Sequence, residues 1–559
     1  MTTSRARRRR GFSLLAAGAV LATAACGSTV QQSGGDGAVV ADGGAGGAGS
    51  AGAGADGLGT AGAGGVLAPA ADGSTPTGLA AGDPGFVPGT GSAGGSGSGA
   101  TGVGGGSTST GATGAGGTGT SGTGGPGTVA DAGKQGPGVT AKEIFVGVRY
   151  SENLQQARKA FGADSVDSGN QKANAKAMID EINARGGVAG RKLVPVYHAD
   201  DSTSAETGDQ LDQAACETFT RDNKIAVTIS GGGPVFRACM DKAGVLRISG
   251  GGLIGADKKS FADQPSFVSL GDVSQDRMMA EWVRALQRQV YFSGWDANLG
   301  QAAPTKAKVG MLGWDFPDWV RPQDRVMRPA LAAIGQPVDP KLVIRIQGTE
   351  SNADAGRFAA EISSAVLRFR DAGVTHIIML DSDGLITFTF TKNAENQNYF
   401  PRLGINTATG AQALYSAGLI PAKSLAGAAG LGWKPLLDLP FGEGPRYLNA
   451  DKVKECLEII RKRSGQTFNS TNAASVALVF CDVMFGVAEA YNRAGPVLNV
   501  ATAVQGLESL RGSYRAAAAP KTFIGPGRHD GLENGFDMVW DAGCTCAKYK
   551  DNGHPIPAA

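Results

Sequence analysis

The sequence contains four histidines, two of which, His529 and His554, fall in its loop-rich end. It has no nucleophile elbow, no zinc-binding HExxH pair, no phosphate-cradling Walker loop and no Ser, His, Asp set at a convincing spacing. Nothing therefore argues for an enzyme, and the expectation is a non-catalytic protein with no metal and no cofactor. Charge of either sign is also scarce in excess: 52 Lys and Arg face 50 Asp and Glu, a net charge of +2. With no basic run in the folded part, nucleic acid is not an expected partner. Beyond the N-terminal apolar stretch no second hydrophobic run of membrane-spanning length is read, which leaves a lipid as the candidate anchor.

Arg5 and Arg7 to Arg10, an apolar stretch from Phe12 to Ala22 and then Thr23-Ala24-Ala25 have the order of a secretory signal, too short for a comfortable membrane span. Ending on Cys26, residues 1–26 resemble the lipobox signal of bacterial lipoproteins, in which the cysteine thiol is acylated. That resemblance implies lipidation of Cys26 and an extracytoplasmic, membrane-anchored protein. Residues 27–138 are almost entirely Gly, Ala, Ser and Thr. Such a segment buries too little apolar surface to offset its ordering entropy, so a disordered tether is expected, with an end-to-end distance of about 55–65 Å.

The remaining stretch of about 420 residues suits two α/β lobes. Ile144 to Val148 and Leu193 to Tyr197 read as parallel strands around a helix whose apolar stripe is Ala175, Met178, Ile179 and Ile182, stopped by Gly186-Gly187. Further strand-like runs at 225–229, 245–248, 308–312, 342–346 and 376–380 alternate with amphipathic helices, which implies parallel sheets covered on both faces.

Six cysteines besides Cys26 are an even number in an oxidising compartment. Cys216 and Cys239 sit on successive helices flanking one strand, and Cys456 and Cys481 on another successive pair, so each pair is a candidate disulfide. Cys544 and Cys546 can close a small loop or coordinate a metal. With no matching Cys or His pair nearby to complete a zinc site, a disulfide is expected.

The run from Asp180 to Lys192, Asp-Glu-Ile-Asn-Ala-Arg-Gly-Gly-Val-Ala-Gly-Arg-Lys, followed by Asp200-Asp201, closely resembles the branched-chain amino-acid-binding proteins. These are type I periplasmic binding proteins, the extracytoplasmic receptors of ATP-driven importers. The resemblance implies two doubly wound parallel-sheet lobes joined by a three-segment hinge. Carried over, lobe one is residues 139–303 plus 434–515 and lobe two is 304–433 plus 516–559, with the first join near 301–306. It also implies a small-molecule ligand between the lobes, an amino acid or a related carboxylate, amide or polyamine, and an ABC permease as partner. A sensor for a membrane signalling protein and a cell-wall structural or adhesive module are the alternatives.

Ligands in open α/β sheets bind beyond the carboxyl ends of the strands. There the sequence places Ser230, Gly231 and Gly232, a glycine loop before a helix suited to a carboxylate, and Ser249 with Gly250. Asp272, at the start of an Asp-x-x-Gln motif ending at Gln275, is expected as a helix N-cap. Trp314 and Trp319 supply aromatic faces, Trp319 lying four residues after Asp315 where the family has a ring that closes over the ligand. Asp381 or Asp383 is the candidate to receive an α-ammonium, because the family's usual position for that group is here Asn406. The other option is a ligand without an ammonium.

Overall fold

The computed structural model describes residues 133–558 apart from 160–167, 230–231, 251–254 and 349–354. The signal segment, Cys26 and most of the expected tether lie outside the described residues, as do Ser230 and Gly231.

Two sheets organise the chain. The first is fully parallel, in the order β2-β1-β3-β4-β5, from β1 (Glu143–Glu152), β2 (Lys192–Asp201), β3 (Val227–Thr228), β4 (Leu246–Ser249) and β5 (Phe267–Ser269). β1 sits next to its centre because both its faces are buried: Ile144, Val146 and Val148 are 0% exposed, and Gly147 leaves room for Ile225, which a Cβ would meet at 2.5 Å. The helix Gln171–Ala184 is capped by Asn170, whose side chain accepts from the Ala173 N–H, and buries the expected stripe. Gly187 ends it at a φ of +80°, where a Cβ would collide with the Arg191 carbonyl oxygen, so no other residue fits that turn.

A two-stranded hairpin of β6 (Trp295–Asp296) and β7 (Gln301–Ala302) comes next. The second sheet runs β14-β13-β12-β11-β10-β8-β9, from β8 (Val309–Trp314), β9 (Val343–Ile346), β10 (His376–Leu380), β11 (Arg402–Asn406), β12 (Ala429–Gly432), β13 (Asn534–Asp541) and β14 (Cys546–Tyr549). β8 to β12 are mutually parallel. β13 and β14 are antiparallel additions from the chain's end. α/β with two parallel-sheet lobes is thus the architecture.

The helix Gln275–Arg288 packs on β12 of the second sheet. Beyond it, Gln289 Nε2 donates to the Gly430 carbonyl at 2.7 Å, and the Tyr291 hydroxyl donates to the carbonyls of Arg402 and Ile377. The chain therefore first passes between sheets at 270–274, ahead of this helix, and not at 301–306, which is occupied by the hairpin strand β7 and the residues leading into β8. The Pro and small residues that suggested a join there mark a hairpin end instead.

The chain returns to the first sheet after β12. The helix Thr471–Asn492 packs on the helix Gln171–Ala184 and on β4, with the Tyr491 hydroxyl donating to the Ala226 carbonyl. This 22-residue helix is long and apolar enough to cross a membrane by composition, which the sequence reading missed, but 72% of its most apolar window is buried inside the protein. It reads as a core helix.

All three expected disulfides are present: Cys216–Cys239, Cys456–Cys481 and Cys544–Cys546. The first two tie neighbouring helices over 23 and 25 residues, and the third closes the β13–β14 turn.

Candidate functional site

The carboxyl ends of the two sheets face each other across the crossing segments. From the first sheet's side comes the stretch between β4 and β5, with Gly255, Asp257 and the helix Lys258–Asp263. From the second comes the helix Pro317–Pro322 after β8, started by Pro317 at its first turn. Asp318 of that helix takes the Arg237 guanidinium at 3.1 Å and the Ser260 hydroxyl at 2.8 Å. Arg321 reaches Asp257 at 2.5 and 2.9 Å and Asp318 at 2.6 Å. Between these contacts Trp319 lies against Gly255, so close that a Cβ at Gly255 would overlap the indole nitrogen.

Behind Trp319 is a cavity of about 10 Å³ lined by Asp272, Val273, Gln275, Met278, Ala408 and Trp433 besides Trp319 itself. That is room for one water molecule. Three buried polar atoms of its lining have no hydrogen-bond partner: Nε1 of Trp319, Nε1 of Trp433 and Oε1 of Gln275. Leaving such a group unpaired costs about 1–3 kcal/mol.

Asp272 is not the helix cap. Ser274 holds that position, and the Asp272 carboxylate pairs with Lys434 Nζ at 3.1 Å, both side chains nearly fully buried. The two residues sit on the first and second passages between the sheets. At the third, the Asp482 carboxylate accepts the N–H groups of Ala517 and Ala518 at 2.6 and 2.8 Å. Burial pushes the Asp482 carboxyl up to about 7, against those two bonds and the Lys434 charge.

The remaining expected residues are placed elsewhere. The amides of Gly233 and Phe236 at the start of the helix Pro234–Lys242 are taken by the Asp212 carboxylate, which is itself held by Arg149 at 2.7 Å. An internal anion thus occupies the helix end next to Gly232. Ser249 is buried, and Gly250 lies under the helix Thr471–Asn492, where a Cβ would be 2.5 Å from the Val479 carbonyl oxygen. Trp314 is stacked between Phe316 and Phe358, with ring centroids 5.4 and 5.7 Å away. Asp315 lines a separate open groove of about 770 Å³ beside Arg345, Arg357 and Glu361, so Asp315 and Trp319 part company despite their spacing.

Asp381 accepts the Thr387 amide and hydroxyl, both at 2.8 Å, and Asp383 the Leu385 amide at 3.0 Å. Both carboxylates therefore serve the start of the helix Leu385–Asn396. Burial raises both, and Asp383 well up, with the Asp381 charge adding to it. Asn406 caps a short helical turn by accepting the Thr409 N–H, and its amide reaches Met278 Sδ at 3.8 Å.

Of the residues in the cavity wall, sequence reasoning singles out Trp319 as a ligand contact and Asp272 as a cap. It places Gln275 inside the Asp-x-x-Gln motif without assigning it a contact, and it misses Met278, Ala408 and Trp433. Among the described residues no group of three or more His, Cys, Asp or Glu side chains is placed to hold a metal ion.

No protein-family model matches the chain, and no curated protein matches it in sequence. Solved structures do. A possible leucine/isoleucine/valine-binding protein from Rhodopirellula baltica aligns over 74% of this chain and 97% of its own, with 13% identity and a TM-score of 0.51. An ABC transporter substrate-binding protein from Desulfitobacterium hafniense in complex with Leu aligns over 73% and 100%, at 17% identity and a TM-score of 0.44. A solute-binding protein from R. palustris in complex with 4-hydroxybenzoate covers 73% and 96%, at 12% and 0.49. The first of these shows a shared fold, the two-lobed α/β architecture of periplasmic binding proteins.

Proposed function

We propose that this chain is the solute receptor of an ABC importer, held outside the membrane by a lipid on Cys26 and a long tether, which captures a small molecule between its lobes and presents it to a permease. The observation that supports this best is the closure of Trp319 of one lobe onto Gly255 of the other, over a cavity whose polar atoms lack partners. Lobe one would comprise 139–269 plus about 434–515, and lobe two 275–433 plus 520–558, with crossings at 270–274, about 433–434 and 516–519. A two-lobed receptor works by differential affinity: a solute touching both lobes stabilises the closed form, and the partner recognises that form.

In this proposal Trp319, Trp433, Gln275, Met278 and Ala408 form the solute contacts, joined by Ser230 and Gly231 of the glycine loop. Asn406 supports the wall from behind through its contact with Met278, and Trp314, Asp381 and Asp383 are not among the contacts. The experiment is small-angle scattering of the full chain with and without a solute found by thermal-shift screening. A solute at 100 times its Kd adds about 2.7 kcal/mol of stability and should shift the scattering to a single compact form. A cooperatively folded chain that binds no solute and scatters identically in all conditions would favour the structural-module alternative.

A further inference from the structure

We infer that the Cys544–Cys546 disulfide is a thiol–disulfide exchange site, a redox centre at one end of the second sheet that takes two electrons from an exposed dithiol. Its surroundings differ from those of the other two disulfides. Cys456 and Cys481 are 1% and 0% exposed, and Cys216 and Cys239 are half-buried, Cys239 packing with Phe219 and Phe236. Cys544 stands exposed on a turn, with Cys546 beneath it 9% exposed. β13 is antiparallel to β12, pairing Phe536 with Gly432 and Val539 with Ala429. It therefore runs away from the carboxyl ends of the parallel strands, and the turn that follows Asp541 lies at the end of the sheet opposite the cleft. A partner's thiol reaches Cys544 there whether the lobes are open or closed.

The turn does not depend on the bond. Asp541 Oδ1 accepts the Gly543 and Cys544 amides at 2.7 and 3.2 Å, Asp541 Oδ2 pairs with Lys548 Nζ at 2.9 Å, and Asp541 stands opposite Cys546 in the β13–β14 ladder. These contacts hold the dithiol form as well and keep its two sulfurs close for re-closure. A fold resists reduction of a disulfide by the same factor by which the disulfide stabilises the fold. For the pairs 23 and 25 residues apart that factor is roughly a hundredfold, whereas a pair two residues apart closes too little chain to gain one. The small ring also encloses Thr545 at a φ of +53°, a strained conformation for a β-branched residue, and opening the ring lets it relax. Exposed and strained disulfides of this kind are the labile ones. In the exchange, one thiolate of the dithiol attacks Cys544 Sγ, the Cys544–Cys546 bond breaks, and Cys546 leaves as a thiolate that takes up the proton lost by the attacking thiol. The second thiolate then attacks the mixed disulfide, forming the partner's own disulfide and releasing Cys544, which is protonated in turn. Two electrons pass from the partner to the pair, and a disulfide of the same class reverses the reaction.

The test starts from the oxidised full-length protein in native buffer with dithiothreitol, quenched by alkylation and read cysteine by cysteine by mass spectrometry, which keeps Cys26 separate. Cys544 and Cys546 should be alkylated at least tenfold faster than either other pair, on the order of the difference set by loop length, and should close again in oxidised glutathione. The oxidised protein should also convert a fluorescent peptide with a Cys-x-x-Cys dithiol to its disulfide, one peptide per chain, and the variant with both Cys544→Ala and Cys546→Ala should convert none. With oxidised glutathione, Cys546→Ala should form a mixed disulfide on Cys544 at least tenfold faster than Cys544→Ala forms one on Cys546, because only Cys544 is exposed. Melting curves check that each variant is folded. A pair that resists dithiothreitol as long as Cys216–Cys239 does, a dithiol that fails to close again in the folded protein, or equal capture at the two positions overturns the proposal and leaves the disulfide as a brace of its turn.

Discussion

The Arg237 guanidinium and the Asp318 carboxylate lie 3.1 Å apart, 81 residues apart in sequence and on opposite lobes, with side chains 6% and 9% exposed. A buried pair of this kind resists the loss of one partner more than it adds stability, because the survivor is left charged and dry. In a hinged molecule the survivor has an escape, since opening returns it to water. Asp318→Asn is therefore expected to open the lobes without unfolding either. Small-angle scattering should show a larger radius of gyration, and solute affinity should fall by about tenfold or more, roughly 1.4 kcal/mol. An unchanged radius would mean that the Arg321–Asp257 pair, Trp319 and the crossing segments hold the lobes together without the Arg237–Asp318 pair.

Gly255 tests the same closure from the packing side. A methyl group there would overlap the Trp319 indole nitrogen, and overpacking of this kind costs about 1–3 kcal/mol when nothing can yield. Here the contact lies between lobes, so Gly255→Ala should be felt by the closed form alone. The expected result is a Tm close to the parent's, a red-shifted tryptophan emission as Trp319 is exposed, and weaker solute binding. A Tm drop with unchanged emission would place the strain inside a lobe.

Much of this architecture is legible in the chain because it rests on local periodicity. Ala175, Met178, Ile179 and Ile182 mark one face whatever they pack on, and Gly186-Gly187 stops the helix for reasons of backbone alone. The Cys216–Cys239 pair follows from successive helices flanking one strand, and the Cys456–Cys481 pair from two helices that follow one another directly. The polar partners are not legible in this way. A carboxylate after a strand can cap a helix, pair with a cation or meet a solute, and the choice depends on what the fold brings to it. Asp272 meets Lys434, 162 positions later by number, and Asp212 claims amides that the glycine loop advertised for a ligand. Trp433 and Gln275 become neighbours across one cavity only once two separate crossings are folded, although Gln275 already stands out inside its motif.

Reduction separates the disulfides by loop length. Closing loops of about 23 to 25 residues stabilises by roughly 3 kcal/mol each, whereas Cys544 and Cys546 are two residues apart and constrain little chain. Replacing Cys216 and Cys239 together, or Cys456 and Cys481 together, by Ala should lower Tm by several degrees. The Cys544, Cys546 double variant should stay within about a degree. Equal losses from all three would show that local packing and not chain entropy sets their contribution.

Two hinge carboxyls set a pH dependence. Burial raises Asp482 to about 7 and Asp438 to about 6, in each case against hydrogen bonds that pull the other way, for Asp438 from Tyr549, Thr407 and the Lys434 amide. In the unfolded chain both titrate near 3.9. Between about pH 4 and the raised values the folded state holds more protons than the unfolded one, so stability increases as pH falls, by up to about 1.4 kcal/mol per pH unit for each group. The contribution is complete below about pH 4 and disappears as pH rises through 6 and 7. Carboxylates held below their usual range, such as Glu181 by Arg185 and Arg463, act in the opposite sense and lose their contribution as pH falls toward and below their ordinary values. Tm should thus be higher at pH 5 than at pH 8. Asp482→Asn should lower Tm at both, through the weakened contact to Ala517 or Ala518, and flatten the difference between them. A parent protein equally stable at both pH values would show that the Ala517 and Ala518 N–H groups and the Lys434 charge hold Asp482 ionised despite its burial.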